Sequence, residues 1–316
     1  MGNKSGSIRY QVAASLAVNR EKLQMFERMR SNVYRIGTDK GKYVLKGFSS
    51  KNKLEAQRSL TKKLRKNGFR QTYRFLSSLP DIPYGKMTYA WIEYLEPSSE
   101  KFSYYTKKNR YYGMELLQQF HETTRKFYND IPASSFDQVY KWQERLYTFK
   151  KNIGIVKGYV SMKNINQWIE WGEKSLKGLG EYEEYLNREP TCIIHGDVAH
   201  HNFFAAKNGQ LNIIDFDLIH RATPIIDYIQ FANRIMPFVK DSSELFSYPQ
   251  LKRYRNNPAF LYAMLYPADI FREWNRLIRE NLYNNNEYMH SIWKITVEQF
   301  QQRMALYKEI YKRINR

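Results

Sequence analysis

Between Cys192 and Asp217 the chain reads CIIHGDVAHHNFFAAKNGQLNIIDFD, which sets His195, Asp197, Asn202, Asp215 and Asp217 among short apolar runs. Polar groups on strands that otherwise look buried are costly unless they are paired or put to use. If Asn202–Phe204 and Leu211–Asp215 pair as a hairpin about the turn KNGQ, Asn202 and Asp215 meet at one end. A carboxylate and an amide oxygen converging there make a hard-oxygen set suited to Mg2+. Asp197, on the preceding loop, stays clear of that set and can accept a hydroxyl proton or orient a nucleophile. Metal, base and nucleotide together serve phosphoryl transfer.

Two blander accounts compete. An HxD triplet, or Asn and Asp at strand ends, can simply cap turns. The joint spacing H-x-D-x4-N followed by a hydrophobic strand ending in Asp is more specific, and matches the catalytic loop and metal-binding strand of protein kinases with Gly196 in place of Arg. A zinc site on His195, His200 and His201 ranks lower. There is no H-E-x-x-H, Cys192 is the single cysteine, and adjacent histidines on an extended segment point to opposite sides.

Such a site needs a cation on the phosphates and something to hold it. Lys46 ends the strand-like YVLK, and Glu55 follows nine residues later, placed to hold Lys46 by an ion pair. Glu55 lies in KNKLEAQRSLTKKLRKNGFR, where Leu54, Leu60 and Leu64, with Ala56 nearby, suit one face of a basic helix. The bland alternatives are a strand-edge lysine and a glutamate paired with its helical neighbours.

The elements around these residues are mixed. NVYRIG and YVLKGF are β-rich and separated by the turn-like TDKGK, and MTYAWIEYL is a further strand. After Glu100 the periodicity turns helical, with helices expected at Tyr111–Tyr128, Trp142–Lys150, Asn166–Leu186, Ile226–Ile235, Pro258–Tyr283 and Ile292–Ile314. Short strands at Cys192–Ile194, Asn202–Phe204 and Leu211–Asp215 interrupt them. The expected class is α+β, with a small β-rich lobe over residues 1–95 and a larger helical lobe over 96–316.

Composition narrows the partners. Of 316 residues 42% are hydrophobic, with 26 Tyr and 18 Phe, enough for a folded core throughout. One cysteine allows no intrachain disulfide and fits a reducing compartment. The run VAASLAV (Val12–Val18) is too short for a secretion signal, Gly6 breaks the myristoylation pattern in MGNKSG, and nothing approaches the roughly 20 apolar residues of a membrane span. A soluble, cytoplasmic protein is expected. The formal charge of +20 favours anionic partners. Charge alone does not make a nucleic-acid module, and no binding motif accompanies it.

HGDVAHHN with IIDFD resembles the motif of aminoglycoside phosphotransferase-like kinases, the group that includes choline and homoserine kinases. NVYRIGTDKGKYVLK, WIEYLEPSSEKFS, LLQQFHETTRKF and LYAMLYPADIFREW are more narrowly similar to the spore-coat CotS-type kinase-like proteins of endospore-forming bacteria, over about residues 30–310. The resemblance implies a two-lobed protein-kinase-like fold and an ATP- and Mg2+-dependent phosphotransferase. It implies Lys46 on the α/β-phosphates with Glu55 as its partner, Asp197 as catalytic base, and Asn202 and Asp215 as metal ligands. Ala90, Trp91 and Ile92 would form the hinge that receives adenine through backbone groups. Asp227 matches a structural acid, His195 a loop-bonding residue, and Asp217 either a second metal contact or a solvated strand-end acid. A place in the spore coat beside other coat proteins is implied too.

The sequence also departs from the family. The phosphate-covering stretch MRSNVYRIG has no G-x-G, and Ala199 stands two positions after Asp197, where the superfamily often has His or Lys; His200 is the neighbouring substitute. A +20 chain repels polycationic antibiotics unless its cleft is locally acidic, so a neutral or anionic hydroxyl acceptor is expected. The rival function is a structural coat protein that keeps the fold with little or no catalysis.

Overall fold

The computed structural model describes residues 4–315, and the first three residues of MGNKSG lie outside them. The chain divides into two compact units. One comprises residues up to Phe102, Leu116–Ser134 and His201–Ile219; the other comprises Ser103–Glu115, Ser135–His200 and the chain from His220 onward. The first boundary falls after Phe102, and the division is not a single cut, because two later segments join the first unit.

The first unit is built on a five-stranded antiparallel sheet of β1 (Leu23–Arg30), β2 (Val33–Thr38), β3 (Lys42–Phe48), β4 (Ile82–Tyr84) and β5 (Met87–Glu93), in the order β1-β2-β3-β5-β4. Side chains alternate across a strand, so Leu45 and its partner Trp91 face one way while Lys46 and its partner Ala90 face the other. Helix α1 (Lys4–Ala17) covers the first face, its Ile8, Val12 and Leu16 packing with Ile36, Leu45 and Trp91. Helix α2 (Lys51–Lys66) reaches the second face through Leu54, which packs with Phe48 and Ala90. Gly47 sits where a Cβ would come within 2.7 Å of the Tyr89 ring, so a side chain there would force the strand and ring apart.

A hairpin of β7 (Phe203–Ala205) and β8 (Leu211–Ile213) completes this unit, in the register Phe203↔Ile213. It is tied to the stretch after the sheet, with Ser98 N donating to Ala205 O at 2.9 Å and Lys207 N to Glu96 O at 2.8 Å. These bonds carry residues 201–219 into the first unit.

The second unit is mainly helical. Helix α4 (Gln138–Lys151), after α3 (Lys107–Thr124), and the helices Met162–Glu181, Ile225–Ile235, Pro258–Met264, Ala268–Glu280 and Phe300–Ile314 pack through aromatic contacts such as Trp142 stacked on Tyr266. Asp137 caps α4 by accepting from Tyr140 N at 2.8 Å. The short ladder of β6 (Cys192–Ile194) and β9 (His220–Ala222) holds the two ends of the polar segment. No helix among the described residues is long and apolar enough to cross a membrane.

Several elements differ from expectation. The helix expected over Pro258–Tyr283 is two helices, parted at Pro267, whose ring and missing N–H cannot continue the ladder. The expected final helix is likewise interrupted by a π turn at Lys294–Glu298, where Thr296 Oγ1 donates to Ile292 O at 2.6 Å. Helix α1 and strand β1 carried no prediction, and β4 falls within LPDIPYG, whose two prolines read as a loop. The apolar stripe Ile8, Val12, Leu16 is spaced for α1, whereas β1 is largely exposed and polar and β4 is only three residues long.

Candidate active site

In the first unit Lys46 projects from β3 toward the α2 side and is 6% exposed. Its ammonium donates to Asp215 Oδ1 at 2.9 Å and Asp217 Oδ1 at 2.7 Å, and lies 5.4 Å from the centre of the Phe48 ring. Asp217 Oδ1 also accepts from Gln57 Nε2 at 2.8 Å, and Arg30 Nη2 donates to Asp215 Oδ2 at 2.8 Å. Burial alone would raise the Asp215 pKa, but Lys46 and Arg30 outweigh it and hold the carboxyl well below the usual range. Beneath the cluster Tyr73 donates to Gln57 Oε1 at 3.2 Å; burial, then the Asp215 and Asp217 charges, push its hydroxyl far up, so it stays a donor.

The β7/β8 hairpin brings Asn202 and Asp215 to one end, as the pairing argument requires. Asn202 is 2% exposed and its carbonyl accepts from Ile214 N at 2.9 Å, one residue before Asp215. Asp215 has φ = 69°, a left-handed conformation that Asp tolerates better than most residues, and it turns the carboxylate out of the strand line. An ionised carboxylate with a buried amide is a hard-oxygen donor set and fits a divalent cation. Among the described residues no group of three or more His, Cys, Asp and Glu could hold a metal ion, so ligands from outside the chain would complete the shell. A cleft of about 430 Å³ opens beside Lys46 and Asp217, lined also by Arg30, Ser31, Asn32 and Lys53.

Two expected arrangements are not found. Glu55 does not hold Lys46: its side chain is 63% exposed and pairs with Arg58 at 3.4 Å. The helix turns Gln57 toward the lysine's partner because Gln57 shares the buried stripe of Leu54, Leu60, Thr61 and Leu64, and Glu55 falls outside it. Nor are Ala90, Trp91 and Ile92 an open hinge. They are mid-strand, paired with Lys46, Leu45 and Val44, and on the other edge Trp91 O accepts from Leu76 N at 2.9 Å. The strand ends at Glu93, so backbone groups past the ladder begin at Tyr94.

In the second unit Asp197 lies on the loop after β6. The buried Asp227 carboxylate accepts from His195 N at 2.7 Å and Gly196 N at 2.9 Å, which satisfies both donors of the bend. Gly196 has φ = 75°, a conformation that favours glycine. Asp197 N donates to His195 Nδ1 at 3.3 Å. The Asp197 carboxylate accepts from Arg234 Nη2 at 2.6 Å. Arg234 carried no prediction, although Asp227 and Arg234 are two helical turns apart and share a face of Ile225–Ile235. Ala199 is buried, and His200 is exposed in a 3-10 turn, edge-on to Tyr104 at 6.3 Å.

The profile of the phosphotransferase enzyme family (APH) matches residues 22–263. Among solved structures the chain is similar to an aminoglycoside phosphotransferase from Alicyclobacillus acidocaldarius subsp. acidocaldarius, at 18% identity and TM-score 0.71 over 93% of both chains. It is also similar to amicoumacin kinase bound to AMP-PNP, Ca2+ and amicoumacin, at 13% identity and TM-score 0.60 over 98% of this chain and 99% of that one. A third is a microcompartment-associated aminopropanol kinase, at 12% identity and TM-score 0.62 over 98% of both chains. No curated protein matches the chain. The likeness to these structures is one of fold: α+β, two-lobed and kinase-like.

Proposed function

The chain belongs to the phosphotransferase enzyme family, and we propose that it moves the γ-phosphate of ATP to a hydroxyl acceptor with Mg2+ as its metal. One observation carries the proposal: Lys46 is held buried between Asp215 and Asp217, with Asp215 kept ionised, beside a cleft lined by further cations. Residues 1–95 then serve as the nucleotide-binding lobe and residues 96–316 as the catalytic and substrate lobe.

In this scheme Lys46 turns its ammonium from the carboxylates to the α/β-phosphates when nucleotide enters, while Asn202 and Asp215 hold the metal. Bound Mg2+ supplies neutralisation of phosphate charge. Asp197 accepts the hydroxyl proton of the acceptor, and Arg234 sets its carboxylate in place. Glu55 has no part in holding Lys46, and Gln57 orients Asp217. Adenine binds backbone past the end of β5. The acceptor is neutral or anionic, and the CotS-type segments support association with the spore coat and its other proteins.

A second reading, a coat protein with little catalysis, is favoured by the buried Ala199 and by Arg30 on Asp215 Oδ2. Asp197→Asn decides between them. With a substrate panel of sugars and polyols, it should lower ADP formation by about 10²–10⁴-fold and leave Mg·AMP-PNP binding intact. Wild type that forms no ADP and binds no Mg·AMP-PNP would favour the structural protein.

A further inference from the structure

The second unit carries an unbalanced group of cations beside Asp197. Lys141 and Arg145 lie one turn apart on α4, on the same side. Arg145 Nη1 donates to Ala268 O at 3.2 Å and Asn275 Nδ2 to Arg145 O at 2.9 Å, which lays α4 along the helix Ala268–Glu280 that carries Arg272. The neighbouring carboxylates are already engaged. Asp269 accepts from Arg303 at 3.1 and 2.6 Å, Glu273 from Arg272 at 2.6 Å and Tyr288 at 2.7 Å, and Asp197 from Arg234. Lys141 rests on the Phe136 ring at 4.8 Å, and Arg145 has the Ala268 carbonyl. Neither makes an ion pair among the described residues.

Both are half-buried, unlike lysines and arginines that merely coat a surface. Burial, then Arg145 and Arg272, push the Lys141 ammonium down to about 8, and Asp197 is the one group that acts in the other direction. Burial pushes Arg145 down to about 10, with Arg272 adding to it. Like charges gathered at such cost stand ready for an anion that would relieve them. Arg and Lys in this setting suit a carboxylate or phosphate.

Resting on the phosphotransferase reading with Asp197 as base, we propose that Lys141, Arg145 and Arg272 form a subsite for a carboxylate or phosphate group carried by the hydroxyl acceptor. The acceptor is then a small hydroxyl-bearing anion. Polycationic sugars are rejected by the same three residues. Asp197 takes the proton of the hydroxyl while the subsite fixes the other end of the molecule.

The test is calorimetric titration of the full chain in two steps. Mg·AMP-PNP is titrated first. With it saturating, glycerol 3-phosphate, glycerate and inorganic phosphate are compared with glycerol at matched ionic strength, for wild type, Lys141→Met and Lys141→Arg, each checked for an unchanged melting profile. At least one of the anions should bind wild type where glycerol does not, about tenfold or more weaker in Lys141→Met, the loss expected for one charge-assisted contact. Lys141→Arg should restore most of it. Equal binding to wild type and Lys141→Met would mean diffuse attraction to a +20 surface, and silence from all three anions would remove the subsite; either overturns the proposal. Anion binding that depends on Lys141 but without any binding of Mg·AMP-PNP would keep the anion site and sink the phosphotransferase reading instead.

Discussion

Replacing Lys46 by Met probes the charge cluster of the first unit directly. The lysine side chain is 8% exposed and Asp215 14%, so this pair is buried; Asp217 is 47% exposed, and its share is largely screened. Removing one partner of a buried pair costs about 3–5 kcal/mol, because the other charge is left behind. Arg30 remains on Asp215 Oδ2, which argues for the lower end, about 3 kcal/mol. At ~2.1 cal/mol/K per residue over 316 residues, the unfolding entropy is about 0.66 kcal/mol/K, so the melting temperature should fall by about 4–5 °C. Scanning calorimetry without nucleotide or divalent cation at pH 7 measures it. The pH arm has a definite sign. Asp215 is depressed in the folded wild type, so its contribution is full above the ordinary carboxylate value near 4 and fades as pH falls below it. The gap between wild type and Lys46→Met should therefore narrow below about pH 4. A drop under about 1.5 °C at pH 7, roughly 1 kcal/mol, or a gap that ignores pH, would mean the cluster is solvated and the burial argument is wrong.

Glu55→Gln should change stability by under about 0.5 kcal/mol, whereas Gln57→Ala should weaken Mg·AMP-PNP binding severalfold; calorimetry on both variants separates the helix faces. Asp227→Ala leaves His195 N and Gly196 N without their acceptor and should cost about 2–3 kcal/mol together with most turnover, seen by melting and ADP assay. Gly178→Ala puts a Cβ within 2.3 Å of the Tyr262 ring and should cost about 1–3 kcal/mol by denaturant unfolding. Affinity for an anionic acceptor should decline as pH rises through about 8, because Lys141 then loses its proton; pH-dependent titration calorimetry would show it.

The α+β class was legible because the hydrophobic period changes near Glu100 and because short apolar runs bracket the polar segment. The hairpin that brings Asn202 to Asp215 followed from KNGQ, and the strand that carries Lys46 from the run YVLKGF. What was misjudged are partners. Spacing from Lys46 selected Glu55, but the buried stripe of α2 runs Leu54, Gln57, Leu60 and Leu64, and helical phase decides which side chain turns inward. Ala90–Ile92 lie inside a ladder rather than at an open end because apolarity marks the run without saying that both strand edges are occupied. Arg30 and Arg234 reach their carboxylates over 185 and 37 residues, separations on which local patterning carries no information.

The helix Ile225–Ile235 holds the backbone of the Asp197 loop through Asp227 and the Asp197 carboxylate through Arg234. Support and working group are therefore registered to one rod. Small translations of that rod carry both along together, so the loop keeps its internal alignment while the surroundings shift. The same coupling exposes the Asp197 carboxylate to distant damage. Ile229 and Phe231 are fully buried on this helix and touch no proposed substrate, yet a substitution there that shifts the rod would reach Asp197 as a loss of aim on top of its cost in packing.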